Sequence, residues 1–153
     1  MAEWTYVGGT QIVQPGEAII FNQATVPCPY DLVLHRNDSG VFLAKGRNLY
    51  PQPRTCCCKR SKTVNYNVTF GANVAIPEGE TVAPIIVAIS VDGNSLNSTE
   101  MISTPTAAGA FNNISRETTV PIWKGCCQSV SVRNIGTTPI EVSDPVLGMD
   151  QHR

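Results

Sequence analysis

Residues Lys62–Ile76, "KTVNYNVTFGANVAI", decide the fold class. Val64, Tyr66, Val68 and Phe70 alternate with Thr63, Asn65, Asn67 and Thr69. An extended chain therefore puts the apolar set on one face and the polar set on the other. This is the pattern of a strand with one face in a core and the other in water. Gly71 marks the place for a bulge or bend before Val74 and Ile76 resume the alternation.

The flanking sequence extends the same reading. "IPEGE" at Ile76–Glu80 is a turn, and "PIIVAISVDGNS" at Pro84–Ser95 is a β-branched run that ends in the hairpin dipeptide Asp92-Gly93. Further short strands are expected at "TQIV" (Thr10–Val13), "EAIIF" (Glu17–Phe21), "DLVLHR" (Asp31–Arg36) and "GVFLAKG" (Gly40–Gly46). "TTVPIW" (Thr118–Trp123), "SVSVRN" (Ser129–Asn134) and "PIEVSDPVLGMD" (Pro139–Asp150) follow, the last read as a short strand with an edge proline. Eleven Pro and twelve Gly interrupt any helical stripe. Roughly eight to ten strands without helices between them predict an all-β antiparallel sandwich or barrel.

The chain of 153 residues suits one domain, residues 1–153, and shows no linker or internal repeat. Charged residues make up 15% and hydrophobic ones 42%, so the surface must be built mainly from Asn, Ser, Thr and Gln. A net charge of −1 argues against a nucleic-acid partner and does little to keep copies apart. The longest apolar run, Pro84–Val91, is too short to cross a bilayer, and no membrane partner is expected. The N-terminus "MAEWTYVGGTQIV" has neither a cationic start nor an apolar run, so synthesis in a cytoplasm without export is expected.

Five stretches in this order resemble the jelly-roll heads of the tumour-necrosis-factor/C1q superfamily. They are "PGEAIIF" (Pro15–Phe21), "HRNDSGVFLAKG" (His35–Gly46), "VNYNVTFGANVAIPEG" (Val64–Gly79), "IVAISVDGNSLNSTEM" (Ile86–Met101) and "TVPIWKGCCQSVSVRNIG" (Thr119–Gly136). The bacterial and phage branch is the most similar, including the C-terminal heads of spore-surface collagen-like glycoproteins and stalkless phage structural proteins. "IWKGCC" stands where that family carries a Gly-Asp turn, with Cys126 where an acidic residue is common. The resemblance implies a TNF/C1q-like jelly roll and a homotrimer packed about an axis. Tyr66, Phe70 and Phe111 are candidates to line that axis, although the sandwich core is the more ordinary place for any one of them. No Gly-X-Y stalk precedes the expected first strand. The resemblance therefore points to a phage virion protein that decorates a capsid, with capsid protein as its partner. The alternative is a spore-surface, cell-surface or secreted head that binds a receptor or glycan.

Chemistry is thinly represented. His35 and His152 are the only histidines, no "GxSxG" elbow occurs, and "GxxxxGK[ST]" and "DxDxDG" loops are missing, so no catalytic residue, metal ligand or cofactor is assigned. Asp92, Asp144 and Asp150 are too dispersed for a calcium site. Four Asn-X-Ser/Thr sequons, at Asn37, Asn67, Asn97 and Asn113, are expected to be unused without export. Two features stand out. One is the cysteine set Cys56, Cys57, Cys58, Cys126 and Cys127, and the other is the basic patch Arg54, Lys59, Arg60 and Lys62. Neighbouring cysteines are too close for an unstrained bridge. A bond between the two clusters would close a loop of roughly 70 residues, contributing about 4 kcal/mol in the chain-entropy model. Packed thiols, such a disulfide within or between protomers, and a zinc site without the usual spacing all stay open. The basic patch either docks on an acidic surface or is a solvated strand edge. Cys28, between two prolines, is expected to be a small buried hydrophobe.

Overall fold

A computed structural model describes residues 1–36, 38–49, 62–125 and 127–151. The alternating stretch that opens the sequence reading is one strand of thirteen residues. Val64, Tyr66, Val68, Phe70, Ala72 and Val74 are all buried along it. In chain order the strands are β1 (Ala2–Thr5), β2 (Thr10–Val13), β3 (Gln23–Val26), β4 (Val33–His35), β5 (Phe42–Ala44) and β6 (Thr63–Ala75). They continue as β7 (Ile85–Val91), β8 (Asn94–Ser95), β9 (Met101–Ser103), β10 (Asn112–Trp123), β11 (Gln128–Asn134) and β12 (Ile140–Gln151).

These strands form two antiparallel sheets. The first runs β10-β6-β12-β1-β3, with β2 beside the other half of β12. The second runs β4-β5-β11-β7-β8, with β9 beside the other half of β7. Their inner faces enclose a single apolar core that includes Trp4, Phe21, Phe42, Tyr66, Phe70 and Ile89. Phe42 is at its centre, edge-on to Trp4 (4.8 Å) and to Phe21 (5.4 Å). Tyr66 and Phe70 therefore belong to the core and not to a subunit axis, because the period of two turns them inward with Val64 and Val68. Phe111 is exposed.

Three local expectations change. Gly71 does not bend β6, which pairs continuously with β10 through the Gly71–Ser115 position. The irregularity lies across the ladder in β12, whose register shifts between Ser143 and Val146. Asp144 there has a positive φ of 51°, and Pro145 occupies the bulge, where no ladder N–H is required of it. "PIEVSDPVLGMD" is consequently a long strand in the interior of the sheet, not a short edge strand. "EAIIF" makes only isolated bridges, Ala18 with Arg133 and Phe21 with Ser39. The Gln11 side-chain amide takes both backbone groups of Ile20 between them, accepting from its N–H (2.8 Å) and donating to its carbonyl (2.9 Å).

The "DG" hairpin forms as read. Asp92 and Gly93 both have positive φ (51° and 81°), and Val91 pairs with Asn94 across a two-residue turn of type I′. Where β8 ends and β9 has yet to begin, Ile89 of β7 would lack a partner. The Thr99 hydroxyl accepts from its N–H (2.9 Å), and Leu96 N–H donates to its carbonyl (2.9 Å). At the end of β11, Asn134 is fully buried. It donates to the carbonyls of Val13 (3.1 Å) and Thr138 (2.9 Å) and accepts from Gly136 N–H (3.0 Å).

Asn134→Ala strips these groups of partners without offering water in exchange. The substitution is expected to cost about 2–3 kcal/mol. In urea unfolding this should appear as a lower midpoint at unchanged m; an unaltered midpoint would show that the amide is dispensable.

Candidate functional site

The strands that flank the two segments singled out in the sequence meet at one end of the sandwich. β5 leads out of the second sheet toward β6 of the first, and β10 leads back from the first sheet to β11 of the second. β5 pairs with β11 and β6 pairs with β10, so the strands flanking the two cysteine clusters are neighbours on both sides. Lys124 N–H donates to Lys62 C=O (2.9 Å), and Gly125 N–H donates to Gly46 C=O (3.4 Å). Gly46 passes so close to the chain that a Cβ there would sit 1.9 Å from the Trp123 carbonyl oxygen, which no side chain tolerates.

Trp123 ends β10 on this rim and is 57% exposed, whereas the other tryptophan, Trp4, is buried. Its backbone is fixed three ways. It pairs with Thr63, its N–H donates to the Gln128 side-chain carbonyl (2.8 Å), and Gly46 packs beneath it. Gln128 is itself held, its amide donating to Asp92 (2.8 Å), while the other Asp92 oxygen accepts from Ser129 N–H (2.9 Å). First the Gln128 amide and then the Ser129 N–H hold the Asp92 carboxyl below the usual carboxylate range. Behind this rim, Tyr66 donates to Lys45 C=O (2.7 Å), and burial raises its phenol above the ordinary value. The buried Gln151 amide accepts from Leu49 N–H (2.6 Å) and donates to Arg47 C=O (2.7 Å).

Of the five cluster cysteines, Cys127 is exposed on this rim; Cys56, Cys57, Cys58 and Cys126 lie outside the described residues. Of the basic patch, Lys62 is exposed here, while Arg54, Lys59 and Arg60 lie outside the described residues. The fold gathers Lys45, Arg47 and Lys124 at the same end, a grouping that local sequence does not show. Cys28 is only half-buried, and its sulfur accepts from Val33 N–H (3.3 Å). It packs partly buried against the core and is at the same time a hydrogen-bonded turn residue, because Pro29 turns the chain there. His35 stacks on Phe42 (4.3 Å) and its Nε2 lies 2.9 Å from Ser39 C=O, so its ring is engaged in packing. His152 lies outside the described residues. Among the described residues no three His, Cys, Asp or Glu side chains gather as metal ligands. No helix among them is long and apolar enough to cross a membrane.

Neither a protein-family model nor a curated protein sequence matches the chain. Solved structures do. The globular domain of zebrafish complement 1qA protein aligns over 94% of this chain and 93% of its own at 12% identity, with a TM-score of 0.58. The Eiger TNF of S. frugiperda aligns over 100% of this chain and 92% of its own at 8% identity, with a TM-score of 0.62. The fold is the C1q/TNF-like jelly roll. At these identities the likeness is one of architecture.

Within this jelly roll the Gln128 and Ser129 hydrogen bonds to the Asp92 carboxylate tie this part of the rim to pH. Because the Asp92 value is lowered, its contribution is present above the unfolded-state value of about 3.9 and is lost as pH falls through the folded-state value. Asp92→Asn is expected to flatten the acid limb of stability below about pH 4. Thermal melts across that range check this, and an unchanged acid limb would remove Asp92 from the account.

Proposed function

We propose that the chain is a non-enzymatic structural protein of a phage virion, a homotrimer that decorates and stabilises the capsid surface after assembly in the host cytoplasm. The observation that carries the trimer is the outer face of the first sheet. At its centre Ser115, Gly71 and Val146 lie side by side across β10, β6 and β12, with Thr5 of β1 beyond them. Small side chains let another surface approach closely, and closed cyclic symmetry uses such a face without generating filaments. The low charge of the chain supports the same reading, since a net charge of −1 presents little repulsion between copies. That net charge also favours protein partners over nucleic acid. His35 is occupied in packing, which favours a structural role over catalysis.

The fold serves a spore-surface or secreted receptor- or glycan-binding head equally well, and the location of the protein separates the two. In sedimentation equilibrium the species should weigh three times the 16.5 kDa protomer. A Cβ at Gly71 would find its nearest neighbours at 3.8 Å, so Gly71→Arg should leave the protomer folded and yield monomers. Purified tailed particles should contain the protein, and particles lacking it should lose infectivity faster on heating. Recovery only from exosporium or culture supernatant would overturn the phage assignment, and a wild-type monomer would overturn the trimer.

A further inference from the structure

We propose that Trp123 is the stacking platform of a saccharide-binding site at the rim of the sandwich, and that the site selects acidic sugars of the uronate class. A tryptophan left 57% exposed while its backbone is held by a strand partner, a side-chain amide and a tucked glycine is unusual, because exposed indole normally costs solvation. The fixed backbone limits what the ring must lose in freedom when a ligand covers it.

The surroundings specify the ligand. Asn65, exposed on the same outer face, stands opposite Pro121 on β10 and thus diagonal to Trp123, within reach of a group lying on the indole. Its amide offers both donor and acceptor to a ring hydroxyl pair. Lys62 and Lys124 flank the pair Thr63–Trp123 and are bonded to each other through their backbones. Both lysines are exposed. Among the described residues the only ion pair joins the Met1 amino group to Asp150, so neither ammonium is committed to a carboxylate there. An indole face suits the apolar face of a pyranose, an amide suits its hydroxyls, and two uncommitted ammonium groups suit a carboxylate. Together these describe a uronic acid.

The site is separable from the proposed subunit face. Thr63 and Gly71 are eight residues apart on one strand, about 26 Å at the usual rise per residue. The inference names a ligand for the surface-protein reading and rests on it only in supposing that such a surface meets glycans. Loss of the protein from particles would leave the binding result standing, and failure to bind would leave the particle assignment standing.

Because Trp4 is buried, acrylamide quenching of the intact protein reports on Trp123. Trigalacturonate is expected to shift the emission to the blue and shield it from acrylamide, with a dissociation constant of about 1 mM for one open site. Galactotriose, its neutral counterpart, should bind at least about threefold more weakly, and Lys62→Gln and Lys124→Gln should each weaken trigalacturonate by about threefold without affecting galactotriose. Trp123→Ala should abolish binding of both at an unchanged urea midpoint, and Trp123→Phe should keep part of it. Unchanged emission at saturating trigalacturonate would overturn the site. Equal affinity for the two sugars would overturn the uronate selectivity. Emission already blue and shielded in the unliganded trimer would show that Trp123 is a subunit contact instead.

Discussion

Both edges of β6 are occupied by strands of twelve residues, and this double pairing is the constraint on which the rest of the molecule depends. With its backbone satisfied on both sides, β6 must present one complete row of side chains inward, from Val64 to Val74. Each large member of that row contributes about 1.5–3 kcal/mol when it leaves water, but only if something covers it. The second sheet is that cover. Its strands are mostly shorter and the outer edge of β7 is shared between β8 and β9, while the register shifts lie in the first sheet.

The interruptions are repaired by side chains that imitate backbone. Gln11 takes the place of a strand opposite Ile20, and Thr99 fills the step between β8 and β9. Asn134 closes the corner where β2, β11 and the loop to β12 meet, and Gln151 fastens the chain after β5 to the final strand. Each is a neutral amide or hydroxyl, so each satisfies buried backbone groups without the desolvation cost of a charge. A surface poor in charged residues and an interior rich in satisfied amides are two expressions of one composition.

Much of the architecture is legible in the sequence because a period of two is unambiguous over β6, β7 is a β-branched run, and Asp92-Gly93 fixes its turn by its own φ requirements. What escapes is what depends on distant partners. "AEWT" is too short to read as a strand, and it becomes one only because β12 lies beside it. "EAIIF" has strand composition but loses a ladder to the Gln11 amide. Pro145 suggests an edge until the bulge around Asp144 gives it a place in the interior. The rim is legible only in pieces: cysteines and lysines draw attention, while Trp123 reads as the end of a strand. Its exposure follows from register, and its rigidity from Gly46 and Gln128, residues that carry no local signal.

The position of β12 has a consequence for how the protein is made. Until β12 is present the first sheet is in fragments: β6 with β10, β1 with β3, and β2 with no ladder at all. The strand that joins them is the last one in chain order. A ribosome must therefore release nearly all of these residues before the sheet can close, and the half-built sandwich waits with its apolar row uncovered. A message truncated before Ile140 would yield not a smaller domain but an unpaired sheet edge, the kind of product that chaperones and proteases must clear.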